Sequence, residues 1–328
     1  MQNSKDILNA FANLKIVVVG DVMIDAYLEG KVSRISPEAP VPIVNFTNKE
    51  NRLGGAANVA LNLVSLGAKA MICSVIGEDT EGEELITLFE KHGIDSSGLV
   101  SSENRMTTVK TRVVGNNQQL LRVDREQTHD ITAKEELLLL EKIETILLGG
   151  CDAIILQDYN KGVLTENLIQ RIIALAKANN VITTVDPKLK NFLNYKGVTL
   201  FKPNLKELRE GLGISELNPK DKLALENAIA ALQEKIEAKN VFITLSENGV
   251  FMYGDNQKIY NPAHRRNIAD VSGAGDTVIS VATLALAASL DLGQVAAIAN
   301  LAGGIVCEYP GVVAIDRERL ALEMDKIL

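Results

Sequence analysis

The chain has 328 residues, of which 46% are hydrophobic and 23% are charged, and its formal net charge is −8. This length holds one large α/β domain or two smaller ones. An acidic chain with scattered Lys and Arg lacks the basic surface that nucleic acid or an anionic membrane requires. No basic segment followed by a long apolar run opens the chain, and no stretch reaches membrane-spanning length, so we expect a cytoplasmic protein.

The three cysteines and the three histidines are isolated from one another along the chain. Their spacing therefore predicts neither a disulfide framework nor a zinc site. Any metal is expected to be a hard cation such as Mg²⁺, held mainly by the phosphates of a substrate.

The first predicted strand, residues 15–20, is a β-branched run that ends in Gly20. It places Asp21 and Asp25 at the carboxyl end of a buried strand, where open α/β sheets bind their ligands. Carboxylates accept hydrogen bonds from hydroxyl groups, so both residues are candidates for contact with a hydroxylated ligand. The alternative for Asp21 is that it only caps a turn.

Two alternating segments, residues 27–46 and 107–124, interrupt the strand–helix rhythm. The prolines of the first segment exclude a central strand, and Gly115-Asn116-Asn117 in the second is a hairpin signal. We predict that both belong to a small β lid projecting from the main sheet. Such lids exclude water from phosphoryl transfer and often form a dimer surface.

A glycine pair precedes the first long helix. Gly54 and Gly55 lead into a predicted helix at 56–66, and Asn58 lies one turn inside it. Small residues let a helix start approach a ligand, and an Asn side chain both donates to and accepts from a hydroxyl. Close packing of helix on sheet is the alternative explanation. Further predicted strands and helices alternate, which indicates a mostly parallel sheet with helices on both faces.

Polar residues follow the later predicted strands. Asp158 and Lys161 come after the strand 153–156, and Asp186 and Lys188 come after the strand 181–185. An acid and a lysine at two successive carboxyl ends favour a functional site. Asn204 and Glu207, after the next strand, share one face of a helix start, which fits either a ligand site or a capping box.

A glycine turn, residues 270–276, precedes an apolar helix predicted over 277–290. Gly273 and Gly275 lack a Cβ, so the turn can bring backbone N–H groups close to an anion. The helix, expected to begin at or just after Asp276, adds free N–H groups and the positive end of its dipole. Asp276 beside an anion site suits phosphoryl transfer, where it accepts the proton of an attacking hydroxyl. A simple N-cap is the alternative.

Two motifs in this order resemble those of one enzyme family. Asp270-Val-Ser-Gly-Ala-Gly-Asp276 is similar to the C-terminal signature of the ribokinase-like (PfkB) carbohydrate kinases, and Gly54-Gly-Ala-Ala-Asn-Val-Ala60 to their N-terminal glycine-rich motif. Segments 20–25, 33–42 and 117–124 resemble the heptose 7-phosphate kinases of that family. The resemblance extends over nearly the whole chain and implies a ribokinase-like α/β fold in one domain over 1–328, with a dimer formed through the β lid. No fused nucleotidyltransferase domain is expected.

The residue arguments and the resemblance together give a set of expected roles. Asp276 is the base, and the amides of Gly273, Ala274 and Gly275 form the anion hole. The residues expected to bind the sugar phosphate are Asp21, Asp25, Gly54, Gly55, Asn58, Arg34, Arg122, Asp158 and Lys161, with the two lid arginines as phosphate clamps. Those expected to bind ATP are Lys188, Asn204, Glu207, Thr244, Ser246, Gly249, Asp270, Gly273, Gly275 and Asn300.

Several details of these roles come from the resemblance alone. Glu207 belongs to an Asn-x-x-Glu motif that helps order Mg²⁺, and Asn300 borders the adenine pocket. Ser246 stands where many relatives have glycine. The segment Cys307–Val312 departs from the family's usual lysine- and glycine-containing ending, which leaves a monovalent cation site open.

The expected reaction is ATP-dependent phosphorylation of the anomeric hydroxyl of a heptose 7-phosphate, giving the 1,7-bisphosphate used in lipopolysaccharide core synthesis. One alternative is another kinase of the same fold, acting on ribose, fructose or a nucleoside. Another is a sugar or nucleotide sensor that has lost catalysis. A dinucleotide-dependent oxidoreductase is weaker, because no G-x-G-x-x-G follows the first strand.

Overall fold

The structure, a computed structural model, describes residues 3–327. Its strands are β1 (Lys15–Gly20), β2 (Val22–Ile35), β3 (Pro42–Gly55), β4 (Lys69–Gly77), β5 (Asp95–Ser102), β6 (Val109–Gly115), β7 (Gln118–Arg125), β8 (Ala153–Gln157), β9 (Ile182–Asp186), β10 (Leu200–Phe201), β11 (Asn240–Thr244), β12 (Val250–Gly254) and β13 (Gln257–Asn261). They form two sheets.

The helices in the described part of the chain are α1 (Ser4–Phe11), α2 (Ala56–Ser65), α3 (Thr80–Lys91), α4 (Ala133–Leu148), α5 (Glu166–Ala178), α6 (Leu205–Leu212), α7 (Lys222–Ile236), α8 (Ala274–Ala287), α9 (Leu292–Val306) and α10 (Arg317–Met324). Among residues 3–327, no helix has the length and apolar character needed to cross a bilayer.

The larger sheet has nine strands in the order β13-β12-β11-β10-β9-β8-β1-β4-β5. The strands from β11 to β5 pair in parallel, and β12 and β13 add an antiparallel edge. The prediction of a mostly parallel sheet is confirmed. Its central strands end side by side, so the polar residues that follow them collect at one edge.

Side-chain alternation along β1 explains why both faces of this sheet are covered. Ile16 and Val18 point into a core formed with α1, α2, α8, α9 and α10, whereas Val17 and Val19 point into a second core formed with α4, α5 and α7. All four side chains are fully buried. A strand buried on both faces must be apolar throughout, which is why its sequence reads as an uninterrupted β-branched run.

The smaller sheet is the lid, defined here as β3-β2-β6-β7 in that order. The strands β2 and β3 form a long antiparallel hairpin, β6 pairs in parallel with β2, and β7 returns antiparallel to β6. The turn between β6 and β7 contains Asn116 and Asn117, whose φ angles are 53° and 64°. These left-handed residues match the hairpin that was predicted at this position.

The lid strands extend further than the predicted ranges. The hairpin of β2 and β3 begins at Val22 and ends at Gly55, whereas the sequence pattern placed the first lid segment at 27–46. The additional part, next to the main sheet, is buried and therefore loses the alternation of polar and apolar residues that marks an exposed strand. The lid thus starts directly at the carboxyl end of β1.

Candidate active site

The glycine turn leads into α8 at the centre of the site. Gly273 is the N-cap of α8 with φ 80°, a left-handed conformation that favours glycine, and the helix begins at Ala274. The predicted start, at or just after Asp276, was therefore too late. The apolar run that marked the helix begins only at Thr277, although Ala274 and Gly275 already lie in its first turn.

Asp276 is buried in this first turn, and three side chains hydrogen-bond to its carboxylate. The Asn58 amide donates to Oδ2 over 2.8 Å. Gln157 Nε2 donates to Oδ1 over 3.1 Å, and the Tyr159 hydroxyl donates to the same atom over 2.7 Å. These donors come from α2, from the end of β8 and from the loop after it, so three parts of the fold meet on one carboxylate.

The pKa of the Asp276 carboxyl is raised to about 6, chiefly by burial, and the nearby Asp186 carboxylate adds to the increase. The hydrogen bonds from Asn58 and Tyr159 and the charge of Lys202 act in the opposite direction. A pKa just below neutral leaves the group mostly ionised at pH 7 and basic enough to take a proton from a hydroxyl.

A buried ion pair lies close to the Asp276 carboxylate. Lys202 Nζ is 3.1 Å from Asp186 Oδ2, and both side chains are almost inaccessible to solvent. Gln157 Nε2 also donates to Asp186 Oδ2 over 3.3 Å and so connects this pair with Asp276. A Cβ on Gly275 would lie 3.7 Å from both Asp186 Oδ2 and Lys202 Nζ, which places the pair directly against the glycine turn.

The start of α6 lies beside this pair. Asn204 and Glu207 form a reciprocal capping box, with Glu207 Oε2 accepting from the Asn204 backbone over 2.9 Å. The other oxygen, Oε1, pairs with Lys188 Nζ. The capping alternative from the sequence therefore describes the geometry of these two residues, while Lys188 links them to the strand end that carries Asp186.

The remaining candidate ATP residues extend from this edge towards α9. Thr244 ends β11 and pairs with Asn204 in an isolated parallel bridge. Ser246 has φ 52°, a left-handed conformation that favours glycine and explains why glycine suits this position. At Gly249, with φ 88°, a Cβ would overlap the backbone of residues 261–263. Asn300 Nδ2 donates to the backbone oxygen of Pro262 over 2.9 Å.

Two of the predicted sugar-binding carboxylates hold a loop instead. Asp21 accepts from the backbone N–H groups of Tyr159, Lys161 and Val163 at 2.8, 3.1 and 3.1 Å. Asp158 accepts from the Tyr195 hydroxyl over 2.7 Å, and its pKa is raised to about 6, chiefly by burial. Burial also raises the pKa of Asp21. Asp21 therefore caps a turn, which was the alternative given by the sequence.

Lys161 lies in the same loop but points towards the lid. Its Nζ is 2.8 Å from Glu126 Oε1, and Lys110 on β6 pairs with the other oxygen of Glu126 at 2.9 Å. The backbone oxygen of Lys161 accepts from the buried Arg105 guanidinium. This chain of ion pairs ties the loop after β8 to the lid strands.

The base of the lid carries a second polar cluster. Arg112 Nη1 is 2.5 Å from Asp25 Oδ1, and both side chains are largely buried. The Arg112 and Arg52 guanidinium groups lie 5.3 and 4.7 Å from the centre of the Tyr27 ring. The Tyr27 hydroxyl accepts from the Val312 backbone over 3.3 Å.

This cluster adjoins the glycine turn on the side away from Asp186. A Cβ on Gly273 would lie 3.0 Å from Asn58 Nδ2 and 3.3 Å from Val312 Cγ1. Asp270 accepts from the backbone of Ser272 and Gly311 at 2.9 and 3.0 Å, which fixes the start of the turn against the segment 307–312.

The glycine pair before α2 also belongs to this region. Gly55 is the N-cap of α2 with φ 60°, and a Cβ on Gly54 would lie 2.9 Å from the Asp25 carboxyl carbon. Asn58 is fully buried, and its Oδ1 accepts from Asn62 over 3.3 Å. The helix start therefore approaches both candidate carboxylates, as the glycines suggested.

The two predicted phosphate clamps occupy different places. Arg122 lies opposite Arg112 in the β6–β7 ladder and pairs with Asp124 at 2.8 Å, with half of its side chain exposed. Arg34 is exposed near the far end of β2, nine residues beyond Asp25. At about 3.3 Å per residue it lies roughly 30 Å along the strand from that carboxylate. Arg122 thus shares a lid face with the site, and Arg34 does not reach it within this chain.

Sequence reasoning missed four residues that line the site. Gln157 and Tyr159 flank Asp158, which was chosen for its charge, and Lys202 precedes the Asn204 motif. Arg112 is a lid cation that was not among the predicted phosphate clamps. Their positions in the sequence could have pointed to them. Each of the four residues ends or follows a strand of the main sheet, or lies on the lid strand that pairs with the strand of Asp25.

Comparison with known proteins identifies the family. A model of the pfkB family of carbohydrate kinases matches residues 13–318. The chain belongs to this family. It is therefore a carbohydrate kinase with a ribokinase-like α/β fold.

Proteins named bifunctional protein HldE are similar over nearly the whole of this carbohydrate kinase. The one from Desulfatibacillum aliphaticivorans is 40% identical over 318 residues, which cover 97% of this chain and 64% of that protein. The one from Methylobacillus flagellatus is 42% identical over 309 residues, covering 94% and 63%. The chain thus spans a little under two thirds of the length of these relatives.

Solved structures share the fold at low sequence identity. Phosphofructokinase-2 from Escherichia coli in complex with potassium superposes with a TM-score of 0.77 at 19% identity, covering 95% of this chain and 99% of that one. Ribokinase from Arabidopsis thaliana complexed with ribose and ATP has a TM-score of 0.72 at 16% identity, covering 96% and 99%.

Proposed function

We propose that this kinase transfers the γ-phosphoryl group of ATP to the anomeric hydroxyl of D-glycero-D-manno-heptose 7-phosphate, giving the 1,7-bisphosphate for ADP-heptose and lipopolysaccharide core synthesis. The observation that carries the reaction type is the buried Asp276 carboxylate in the first turn of a glycine-capped helix. The heptose is supported by the three resembling segments at 20–25, 33–42 and 117–124 and by the relatives named HldE.

In the proposed reaction Asp276 accepts the proton of the attacking sugar hydroxyl. The Ala274 N–H donates to the backbone oxygen of Val271. The N–H groups of Gly275 and Asp276, which have no partner within the helix, are therefore the ones that stabilise negative charge on the phosphoryl group as it moves. Burial strengthens both effects because water is excluded from the carboxylate. A positioned base contributes roughly 10²–10⁴-fold to such a reaction.

The phosphate already present on the heptose requires a cation. Arg112 and Arg122 face the same side of the lid as Asp25, and the planar guanidinium group suits phosphate. We assign the clamp to these two residues, and give Arg34 a role only if a second copy of the chain brings it to the site. Asp25 and Asn58 remain proposed sugar contacts, whereas Asp21 is left out because it is buried and the backbone of the loop after β8 donates three hydrogen bonds to it.

ATP is proposed to lie along the carboxyl ends of β9, β10 and β11. The residues that support this placement are Lys188, Lys202, Asn204, Thr244, Ser246, Gly249 and Asn300. Lys188 and Lys202 lie at one edge of the sheet, where their positive charges suit the negatively charged phosphates of ATP. The half-exposed glycine turn lies at the inner end of this line, beside Asp276.

Magnesium fits this site as an ion held mainly by phosphate oxygens. The nearby carboxylates of Asp186 and Glu207 are already paired with Lys202 and Lys188. When bound, the ion supplies positive charge to the phosphates during transfer. A monovalent cation stays a prediction from the sequence.

We also propose a homodimer through the lid. Alternation along β6 and β7 places Arg112 and Arg122 on one lid face and the pair Val113 and Leu121 on the other. The exposed apolar side chains of the lid are Ile35, Val41, Phe46, Leu120, Leu121 and Val123. An exposed apolar sheet face of this kind is stabilised when another surface shields it from water. The lid of a second copy of the chain provides a matching apolar surface.

The function is tested by measuring ADP release with Mg·ATP and a panel of sugars: heptose 7-phosphate, ribose, fructose and fructose 6-phosphate. We expect turnover only with the heptose phosphate and a loss of roughly 10²–10⁴-fold in Asp276→Asn. Asp221→Asn is the matched control, since Asp221 also begins a helix but lies far along the chain in α7, where Asn caps equally well.

Other outcomes separate the alternatives. Turnover of another sugar would be compatible with Asp276 as the base but would contradict heptose 7-phosphate as the substrate. Sugar binding without ADP release by any substrate would favour a sensor. Near-normal turnover by Asp276→Asn would contradict the role of Asp276 whichever sugar is used.

A further inference from the structure

The two oxygens of the Asp276 carboxylate have different surroundings. Oδ1 accepts from both Tyr159 and Gln157, whereas Oδ2 accepts, among residues 3–327, only from Asn58. A carboxylate oxygen has two lone pairs. Oδ1 is therefore fully used by the chain's own donors, and Oδ2 retains one lone pair for another donor.

We propose that Tyr159 is a positioning residue of the transfer, whose hydroxyl occupies Oδ1 and leaves Oδ2 as the atom that takes the acceptor proton. This inference rests on the proposed function for the role of Asp276 as the base and for the identity of the acceptor. In the step, the acceptor O–H bond breaks and its proton passes to Oδ2. The acceptor oxygen bonds to the γ-phosphorus of ATP, whose bond to the bridging oxygen breaks, and ADP leaves with that electron pair.

The loop after β8 holds Tyr159 in place. Its backbone N–H donates to Asp21 Oδ2 over 2.8 Å, and Lys161 donates to the same oxygen over 3.1 Å. Lys188 Nζ lies 5.6 Å from the centre of the Tyr159 ring. A buried carboxylate thus fixes the backbone of Tyr159, and its ring lies against a lysine of the proposed ATP site.

Tyr159 acts as a hydrogen-bond donor rather than as an acid. Burial raises the pKa of its hydroxyl well above the usual value, and the negative charges of Asp276, Asp186 and Asp25 raise it further. The proton therefore stays on the tyrosine across the working pH range. Its contribution is to hold the carboxylate in one orientation and to stabilise the ionised form.

The charged and titratable groups around Asp276 determine the direction of the expected pH effect. They are Tyr159 from the loop after β8, Asp186 from β9, and Lys188 and Lys202 from the segments after β9 and β10, while Asn58 and Gln157 contribute uncharged donors. Removal of the Tyr159 hydroxyl takes away a donor to the charged carboxylate. The pKa of Asp276 should therefore rise.

Tyr159→Phe tests the inference. We expect the acid limb of the kcat profile to move to higher pH by roughly 1 unit, with kcat reduced about tenfold near neutral pH and the KM for ATP little changed. Tyr195→Phe is the matched control, because it removes a hydroxyl that also donates to a buried aspartate, Asp158, but does not touch Asp276. Its acid limb should coincide with that of the wild type.

A second measurement is independent of the substrate. The carboxyl titration of Asp276 is followed by ¹³C NMR in the full chain without ligands and assigned by its absence in Asp276→Asn. A higher titration midpoint in Tyr159→Phe than in wild type supports the inference even if the heptose proves to be the wrong substrate. Identical midpoints, or unchanged pH profiles in an active enzyme, overturn it.

Gln157→Met covers the case in which Tyr159→Phe does not fold. This change removes the other donor to Oδ1 with a side chain of similar length. It should move the Asp276 midpoint in the same direction as Tyr159→Phe. An unchanged midpoint would show that the donors on Oδ1 do not set the properties of the carboxylate and would overturn the inference.

Discussion

Asp276 lies where a charge is costly. It is 4% exposed and faces a second buried carboxylate, Asp186, yet three donors and Lys202 hold it ready to ionise. A buried carboxylate that must be charged to act as a base lowers the stability of the folded chain. This explains why its surroundings supply so many hydrogen bonds to one side chain.

The cost can be measured with Asp276→Asn. The pKa of this group is about 6 in the folded chain and about 3.9 in an unfolded one. Between these two pH values the folded chain still binds a proton that the unfolded chain has lost. The free energy of unfolding of the wild type is therefore higher at low pH and decreases as the pH rises through about 6. The asparagine variant lacks this loss. We therefore compare the free energy of unfolding of the variant with that of the wild type at each pH. This difference should shift in favour of the variant by about 1 kcal/mol when the pH is raised from about 5 to about 8.

Urea denaturation at both pH values measures this difference. The comparison between two pH values cancels the pH-independent effect of placing an amide among the donors. Asp221→Asn, on the exposed start of α7, should show no such change between the two conditions. An equal difference between Asp276→Asn and wild type at both pH values would contradict a raised pKa for Asp276.

At the scale of elements, α8 is positioned by tight packing on α9 and by polar contacts with α2. The Thr277 hydroxyl donates to Asn62 Oδ1 over 3.0 Å, and the same oxygen accepts from the Ile315 backbone. On its other side, Val278 meets Gly303 of α9 so closely that a Cβ there would lie 2.6 Å from Val278 Cγ2. The helix that carries Asp276 therefore has little freedom to shift.

Gly303→Ala tests this packing. Helix propensity alone would favour alanine by about 1 kcal/mol. A Cβ that overlaps the stiff Val278 side chain costs about 1–3 kcal/mol, so we expect a net loss of roughly 1 kcal/mol in the free energy of unfolding. The measurement is urea denaturation monitored by circular dichroism.

Gly293→Ala provides a control in the same helix. A Cβ at this position meets only Asp291 Oδ1, at 3.1 Å, near the exposed start of α9. This variant should be neutral or slightly more stable than wild type. Stabilisation by Gly303→Ala to the same degree would mean that α8 and α9 are less closely packed than described.

At the scale of the whole molecule, the lid has two faces of different chemical character. One face carries the charged residues that adjoin the glycine turn, and the other carries exposed apolar side chains. Strand alternation separates the two faces without any change in backbone structure. The same four strands can therefore contact a substrate on one side and a second copy of the chain on the other.

Leu121→Asp tests the apolar face. Leu121 is 57% exposed on β7, and a carboxylate buried there in a dimer would cost well over about 1.4 kcal/mol. We expect the dimer to weaken by at least tenfold in sedimentation velocity experiments. Leu322→Asp, at a 67% exposed leucine on α10, should leave association unchanged. A wild-type chain that is monomeric at micromolar concentration would contradict the proposed dimer.

The sequence by itself determined the local features. The buried strand at Lys15–Gly20, the hairpin turn at Asn116 and Asn117, and the glycine turn before α8 all follow from short-range patterns. Each depends on the backbone preferences and burial of a few neighbouring residues, so a short window contains the needed information. The alternation of strands and helices predicted the mostly parallel sheet, and the family motifs favoured Asp276 as a base over a simple N-cap.

The tertiary structure decided which side chains surround that carboxylate. Tyr159 and Asn58 lie 117 and 218 positions from Asp276 in the chain, and nothing in their own neighbourhood marks them as its partners. In the tertiary structure the Asp21 carboxylate also accepts from the backbone of a loop, and Arg112, rather than Arg34, lies beside Asp25. Short-range patterns fix backbone conformation, whereas contacts between distant residues depend on how the strands and helices are arranged in space.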